Sequence, residues 1–405
     1  MKNDDPVVAT VKPDASIDSV SGPSADAPVI GQSTVTSDRP VLITKPPADH
    51  KETDKGAEWS SPYNPFNSVK ALYWGSFIED FYAGKRPAPV TADIEPTNAC
   101  NINCQWCYPM QTGFREDYTD HMNDDRLLAL PSFLKEWGVK CAQVTGGGEP
   151  LFHPKVKQFF EEMKRVELPL GLITNGVLLR TQIIDVVHDF ADWIGFSMDA
   201  GTSKVWSDLK GSPEKNFDRI IKNMEELNRR KQGVRVAYKY LINPSNYRDV
   251  LTAARIAKET GCDDFHLRPT YNFGAFGDVD FDEVNDILEQ VKSYEGDGFN
   301  VFTIQHKFSN KLSDQELTFP KCMATPLLLT FSADHNAYYC LDHRGESDFA
   351  LKSFGVSLDD VKDYWGTPEH LERLASIVPA KCKKCTFKGY NDLFNSLDNM
   401  MVSYL

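Results

Sequence analysis

Seven of the nine cysteines fall into two groups whose spacing suits metal binding. The first group, Cys100, Cys104 and Cys107, occupies one short stretch of sequence, CNINCQWC. Three thiolates on one loop can bind three irons of a [4Fe–4S] cluster and leave the fourth iron open. A zinc loop and three unrelated core cysteines are the alternatives, but this C-x3-C-x2-C spacing does not by itself complete a zinc module. The spacing therefore favours an iron–sulfur site with one open iron.

The second group contains four cysteines in the C-terminal part of the chain. Their spacing is C-x17-C-x41-C-x2-C, and four thiolates can complete either a [4Fe–4S] cluster or an all-cysteine zinc site. The last two enclose a pair of lysines in a CKKC sequence, which on its own is typical of a zinc knuckle. The four residues are Cys322, Cys340, Cys382 and Cys385.

The elements that must position these cysteines alternate along the chain between short apolar runs and amphipathic stretches. Such alternation predicts right-handed crossovers and a parallel sheet, either open or curled into a barrel, with its chemistry on the loops after the C-terminal strand ends. Helices are predicted at 154–166, 212–231 and 247–261, and a further helix begins at Asn67 or Ser68. Strands are predicted at 90–97, 141–146, 168–175, 192–199, 234–242 and 263–270.

Polar motifs follow several of these strands. The first cysteine group follows the first strand, and the sequence GGGEP (146–150) follows the second. The third strand ends in TNG (174–176), the fourth in SMD (197–199), and the sixth in Arg268. Because parallel strands end at the same edge of a sheet, these motifs are expected to lie together.

The cysteine spacing, with Trp106 before its last member, and the ordered motifs behind it resemble the radical S-adenosylmethionine (SAM) superfamily over residues 90–300. That resemblance implies an α/β fold, a partial (β/α)6 TIM-like barrel. It also implies that the open iron of the cluster chelates the amino and carboxylate groups of SAM. Reductive cleavage would then give methionine and a 5′-deoxyadenosyl radical, which abstracts a substrate hydrogen. The fifth motif, LINPSN (241–246), lacks the glycines of the family's adenine-binding segment.

Residue by residue, the resemblance assigns SAM contacts to the strand-end motifs. The glycines let backbone approach the ligand, Glu149 offers an acceptor for the ammonium, and Arg268 can pair with the carboxylate. The implied SAM-binding residues are Gly147, Gly148, Glu149, Thr174, Asn175, Ser197, Asp199 and Arg268.

The spacing of the second cysteine group resembles the twitch domain, a shortened relative of the SPASM domain that many radical SAM enzymes carry. An auxiliary [4Fe–4S] cluster is therefore favoured over zinc. Ligation by four cysteines leaves no open iron, so such a cluster would transfer electrons. Lys381, Lys383, Lys384 and Lys388 surround the last two cysteines. They form either a solvated loop or a dock for an acidic electron donor such as flavodoxin or ferredoxin.

The preferred reaction is a two-electron oxidation of the substrate with the auxiliary cluster as electron acceptor. Cys141 and Cys262, the remaining cysteines, begin or precede strands and thus lie opposite the active edge, which disfavours thiol-based epimerisation. Asp199, His266 and His153 are the candidate catalytic bases. Isomerase or aminomutase chemistry and bond formation on a peptide, sugar or nucleobase are the runner-up, and a non-catalytic iron–sulfur or zinc protein is the alternative from another class.

Composition sets the outer limits of the interpretation. The 405 residues include 58 acidic and 44 basic side chains, a net charge of −14 that disfavours duplex nucleic acid as a partner. No apolar run reaches the ~18–20 residues of a membrane span, and no signal-peptide pattern opens the chain, so a cytoplasmic protein without a membrane partner is expected. The predicted domains are a disordered tail (1–57), a helical preamble (58–89), the barrel (90–310) and a twitch-like domain with a C-terminal helix (311–405).

Overall fold

The computed structural model describes residues 68–107, 120–270, 280–303, 317, 319–382 and 385–400. The predicted tail, the first ten residues of the preamble and the lysine pair 383–384 lie outside the described residues. The disorder of the tail therefore stays a prediction.

A parallel sheet forms the centre of the fold. All six predicted strands are present, and a seventh, which the sequence analysis missed, pairs with the sixth. Neighbours in sequence are neighbours in the sheet throughout this part. The strands are β1 (Thr91–Ile94), β2 (Cys141–Val144), β3 (Leu170–Thr174), β4 (Trp193–Ser197), β5 (Arg235–Ile242), β6 (Asp264–Pro269) and β7 (Asn300–Thr303).

Helices cover one face of this sheet. Alternate strand residues, such as Ile94, Val144 and Leu172, join one core cluster with the apolar faces of the helices. The opposite strand positions are rich in polar groups and form what is here called the inner face. Helices on one side only let the sheet curl, as a partial barrel requires, and within the described residues it stays open, with β7 at one edge. The helices are α2 (Asp124–Trp137), α3 (Val156–Arg165), α4 (Thr181–Val187), α5 (Ser203–Lys210), α6 (Lys215–Arg230), α7 (Val250–Glu259) and α8 (Phe281–Val291), preceded by α1 (Gly75–Tyr82).

The C-terminal segment extends the same sheet. Strand β8 (Leu328–Phe331) lies parallel to β1 on the side away from β2, and β9 (Asn336–Tyr338) and β10 (Ala350–Ser353) continue antiparallel to the edge. The change of sequence character after residue 310 predicts a separate small domain here, and its boundaries remain a prediction. The segment ends with α9 (Asp359–Tyr364), α10 (Pro368–Ser376) and α11 (Lys388–Met400).

The segment before the barrel packs against this C-terminal helix. It begins as a 3-10 helix (Ser68–Trp74) and continues as α1, where a single α-helix was predicted. Phe77 and Phe394 share a small apolar cluster, and the Tyr82 hydroxyl donates to the Phe394 carbonyl at 2.9 Å. Among the helices that the structure describes, none is long and apolar enough to cross a bilayer.

The turn after β3 requires glycine for two reasons, and substitution can separate them. Gly176 has φ +79°, and an added Cβ would lie 2.7 Å from a Phe196 ring carbon and 2.8 Å from Ile220. Gly233 has the same φ but nothing within 4 Å of that position. We expect Gly233→Ala to lower the free energy of unfolding by about 1 kcal/mol, the cost of left-handed backbone, and Gly176→Ala by a further ~1–3 kcal/mol from overpacking. Equal urea midpoints for the two variants would contradict this account.

Candidate functional site

The loop that carries Cys100, Cys104 and Cys107 takes its shape from its neighbours, because it has no regular secondary structure of its own. The amide of Asn103 donates to the Lys210 carbonyl at 2.8 Å, and that of Gln105 donates to the Leu209 carbonyl at 3.1 Å. The end of α5 therefore fixes the middle of the cysteine loop.

The GGGEP loop supports the other end of the same loop. The amides of Gly148 and Glu149 each donate at 2.9 Å, to the carbonyls of Thr97 and Ala99. A Cβ on Gly148 would lie 1.9 Å from the Ala99 carbonyl oxygen, a position that no side chain can occupy. Glycine is therefore needed here to bring the loop after β2 against the backbone that leads into Cys100.

Glu149 joins the ends of β2 and β3. Its carboxylate is buried and accepts hydrogen bonds from the Thr174 hydroxyl at 2.5 Å and from the amides of Asn175 and Leu151 at 2.7 and 3.2 Å. Burial raises the pKa of Glu149 to about 7 although these hydrogen bonds oppose the shift. The carboxylate thus holds the two loops together, and its predicted contact with an ammonium group stays a prediction.

Asn175 continues this connection to the cysteines. Its side-chain amide donates to Asn101 Oδ1 at 2.9 Å and lies 4.0 Å from Cys100 Sγ. Its own oxygen accepts from the Val177 amide at 3.0 Å, which fixes the orientation of the side chain. The structure therefore brings Gly148, Glu149 and Asn175 together around the cysteine loop, and their contacts with SAM stay predictions.

Asp199 lies at the same edge of the sheet, but both oxygens of its carboxylate already have partners within the protein. It adopts a left-handed conformation (φ 59°) directly after β4, and its carboxylate accepts from the Leu241 amide at 2.6 Å. The other oxygen forms a buried ion pair with Lys210, whose ammonium also lies 5.6 Å from the centroid of the Trp106 ring. A carboxylate engaged in this way orients its neighbours, and its predicted roles as a base and a SAM contact remain predictions.

Three nitrogen-bearing side chains lie on the inner face of β5 and β6. Lys239 pairs in register with Ser197 and His266, and Arg268 lies one inward-facing position closer to the C-terminal strand ends. The Lys239 ammonium lies 4.9 Å from the centroid of the Trp193 ring. Burial and then the charge of Arg268 lower the pKa of Lys239 to about 7. This wall of the barrel is therefore suited to anions.

His153 has a different environment from His266. Its Nε2 lies 2.8 Å from the Met122 carbonyl, and its Nδ1 accepts from the Lys155 amide at 3.1 Å, so both ring nitrogens contact backbone. Burial lowers the pKa of His153. His266 lies instead on the inner face, its ring 5.2 Å from that of Phe302. His266 is therefore the one of the two that lies on the inner face, and the role of either histidine as a catalytic base stays a prediction.

Acidic groups line the opposite wall at β1. Glu95 is fully buried, accepts from the Ser332 hydroxyl at 3.0 Å and lies 3.0 Å from Arg344 Nε. Asp93, one inward-facing position deeper, accepts from the Gln143 amide at 3.1 Å. Burial, and then the nearby Glu95, raise the pKa of Asp93 to about 7.

The four C-terminal cysteines lie on segments that two polar side chains tie together. Asp342 follows Cys340 and accepts from the amide and hydroxyl of Thr386, the residue after Cys385, at 2.6 and 2.8 Å. Asn391 accepts from the amides of residues 323 and 324, beside Cys322, at 2.6 and 2.9 Å. Its Nδ2 lies 3.5 Å from Cys385 Sγ.

Both cysteine groups fit iron–sulfur ligation in their donor chemistry. Burial raises the pKa of Cys104 and Cys385 each to about 12, although the charge of Lys210 opposes the shift at Cys104. In the part of the chain that the structure describes, no three side chains of His, Cys, Asp or Glu already converge as a metal site. Thiols are nonetheless the donors that an iron–sulfur cluster requires, and ligation by the two cysteine groups stays a prediction.

Several residues of this site were missed by the sequence analysis. Lys239 and Asp93 had a usable signal, because each is a charged residue inside an otherwise apolar strand, which indicates a polar inner face. Lys210 had none, since a lysine before a glycine at a helix end is ordinary helix-capping sequence. Glu95, Arg344, Asp342 and Asn391 depend on contacts between distant segments.

Comparison with known proteins agrees with this geometry. Residues 94–257 match the family model described as the Radical SAM superfamily. The chain is 25% identical over 177 residues to the tungsten-containing aldehyde ferredoxin oxidoreductase cofactor-modifying protein of Pyrococcus furiosus, covering 42% of this chain and 48% of that protein. It is 23% identical over 195 residues to the antilisterial bacteriocin subtilosin biosynthesis protein AlbA of Bacillus subtilis, covering 48% and 42%. The matches span about half the length of these relatives.

A solved structure is similar in fold. The crystal structure of Streptococcus suis SuiB bound to its precursor peptide SuiA covers 76% of this chain and 72% of its own, with a TM-score of 0.57 and 14% sequence identity. At that identity the likeness shows the fold alone, and it confirms the partial-barrel prediction.

The shifted pKa of Asp93 predicts a pH-dependent stability. Because the folded-state pKa of about 7 lies above the ordinary 3.8, the stabilisation present at low pH is lost as the pH rises through 7. We expect Asp93→Asn to gain stability relative to the wild type, on the order of 2–4 kcal/mol between pH 4 and pH 8. Urea unfolding across this range measures the difference, and Asp286→Asn, at an exposed position of α8, should follow the wild type. Parallel profiles for wild type and Asp93→Asn would contradict the prediction.

Proposed function

We propose that this chain, whose residues 94–257 match the Radical SAM superfamily model, is an enzyme that reductively cleaves SAM and abstracts a hydrogen atom from a substrate. One observation carries the proposal. The loop with Cys100, Cys104 and Cys107 is held at the C-terminal strand ends by hydrogen bonds from the two loops that the resemblance assigns to SAM binding.

The chain's own residues would bind and orient the cofactor. The three cysteines would hold an iron–sulfur cluster, which with SAM supplies a hydrogen-atom acceptor reactive enough to attack an unactivated C–H bond. Gly147 and Gly148 present backbone without side chains to the methionine end. Arg268 provides the cation for the carboxylate, and the buried inner face keeps water away from the reacting groups.

We also propose that Cys322, Cys340, Cys382 and Cys385 hold an auxiliary [4Fe–4S] cluster, and that the net reaction is a two-electron oxidation. The substrate would give up one hydrogen atom, one proton and one electron, and the electron would pass to this second cluster. The ties from Asp342 and Asn391 across the cysteine segments support a single shared site. His266, on the inner face, is the best-placed of the predicted proton acceptors.

A peptide is the substrate class that we propose. The support is the likeness to AlbA, a bacteriocin biosynthesis protein, and the shared fold with SuiB, solved with a precursor peptide. Incubation with a peptide library followed by mass spectrometry tests the class and the reaction together. Loss of two hydrogens per product marks oxidation or internal bond formation, whereas an unchanged mass with turnover marks isomerisation.

The decisive experiment measures iron, sulfide and 5′-deoxyadenosine in one anaerobic sample reduced with dithionite. About eight irons per chain with deoxyadenosine formed is the expected result, since each [4Fe–4S] cluster contributes four irons. About four irons plus zinc would keep SAM cleavage but remove the auxiliary electron acceptor. No iron and no deoxyadenosine would overturn the proposal.

Two cysteine variants should separate the sites. Cys100→Ala should abolish deoxyadenosine formation while the auxiliary iron remains. Cys382→Ala should retain uncoupled SAM cleavage and lose turnover of the substrate. Cys141→Ala, a cysteine at the start of β2, is the matched control and should behave as wild type. Full SAM cleavage by Cys100→Ala would refute the assignment of the first site.

Arg268 allows a test of the SAM carboxylate contact. We expect Arg268→Met to weaken SAM binding by about 10- to 100-fold, the value of a charge-assisted hydrogen bond, without affecting binding of decarboxylated SAM. Lys239→Met, one inward-facing position deeper on the neighbouring strand, should leave the preference for SAM unchanged. Calorimetric titration of each variant with both ligands measures this. An equal loss of affinity for SAM and for decarboxylated SAM would show that Arg268 acts through folding and not through the carboxylate.

A further inference from the structure

Lys210 is a charged residue in a position where charge is costly. Its side chain is 2% exposed, and so is that of its partner Asp199. A buried ion pair seldom repays the loss of hydration, and apolar residues of the same size often serve stability better. The pair therefore calls for an explanation other than stability.

The location of Lys210 supplies that explanation. It is the last residue of α5, and its carbonyl accepts from the Asn103 amide, between the first two cysteines of the loop. Its ammonium lies 5.6 Å from the centroid of the Trp106 ring, between the second and third. The next residue, Gly211, is so close that a Cβ would lie 2.8 Å from the Asn103 carbonyl oxygen. Backbone and side chain thus both meet the cysteine loop.

The two members of the ion pair have different neighbours. The ammonium of Lys210 lies over the ring of Trp106, a residue of the cysteine loop, whereas the carboxylate of Asp199 also accepts a hydrogen bond from the Leu241 amide on β5. The positive member of the pair is therefore the one that faces the cysteine loop.

We propose that Lys210 is an electrostatic positioning residue for the first iron–sulfur site: its buried positive charge stabilises the anionic, thiolate-ligated cluster and raises its reduction potential, and Asp199 partly offsets this effect. Net charge near a cluster is one of the main determinants of its potential, and a charge acts over a longer range where water is excluded. The inference rests on the proposed function, because it requires a cluster at Cys100, Cys104 and Cys107.

Opposite charge changes on the two partners provide the test. Lys210→Met keeps the backbone carbonyl and most of the side-chain volume but removes the charge, whereas Lys210→Arg keeps the charge. Asp199→Asn removes the offsetting negative charge. Each reconstituted holoenzyme would be titrated redox-potentiometrically by electron paramagnetic resonance, with the first cluster identified as the signal that SAM perturbs.

Each variant has its own expected direction of shift in the midpoint potential. Lys210→Met should lower the midpoint potential of the first cluster, Asp199→Asn should raise it, and Lys210→Arg should stay near wild type. The auxiliary cluster should not shift in any of them and serves as the internal control. An unshifted potential in Lys210→Met, or equal shifts in the Met and Arg variants, would overturn the proposal, since packing and not charge would then be responsible.

Loss of the cluster would also be informative. If Lys210→Met binds no iron at the first site, iron retained by Lys210→Arg supports the proposal and iron lost from both overturns it. Failure here is distinguishable from failure of the proposed function. A wild type with two clusters and deoxyadenosine formation leaves the function intact even when the potentials of the variants do not move.

Discussion

The candidate site depends on backbone hydrogen bonds that reach the cysteine loop from two sides. A loop without regular structure cannot fix three thiols by itself, because each residue retains conformational freedom that costs about 1–2 kcal/mol to remove. The amides of Gly148 and Glu149 donate to one end of it, and the carbonyls of Leu209 and Lys210 accept from its middle. Strand order in the parallel sheet brings those partners to the same edge, so the geometry of the site is inherited from the sheet.

Acidic and basic side chains lie at different places on the inner face of the sheet. Asp93 lies on β1 and Glu95 directly after it, and Lys239 and Arg268 lie on β5 and β6, with the apolar core on the other side of the strands. Charges buried in this way shift each other's pKa because water does not screen them. A ligand on the inner face would therefore meet basic groups on β5 and β6 and, on the β1 side, carboxylates of which Glu95 is paired with Arg344.

Much of the barrel could be predicted from the sequence, for physical reasons. The six strands are apolar runs of the right length between amphipathic helices, and periodicity specifies such elements locally. Strand β7, a short NVFT, has no such contrast with its surroundings. The pairing of β8 with β1 is a contact between distant segments, which no local pattern encodes.

The candidate site, too, could be predicted from the sequence only in part. The cysteines and GGGEP are contiguous motifs and were found, whereas the partner of Asp199 was not, because Lys210 is recognisable only once α5 has been folded against the cysteine loop. Glu149 was predicted as a site residue because it lies in the GGGEP motif. Its contacts with Thr174 and Asn175 are visible only in the folded structure.

The position of β1 in the sheet has a consequence for folding during synthesis on the ribosome. Thr91 pairs with Cys141 on one side and with Leu328 on the other. At ~5–20 residues per second, the second partner emerges on the order of tens of seconds after β1 itself. Until β8 is made, the edge of β1 that faces away from β2 has no partner strand and is open to pairing with other chains. An iron–sulfur cluster inserted at the first cysteine group before β8 is synthesised would therefore bind to an incomplete sheet. At that stage the open edge of β1 exposes the nascent chain to aggregation.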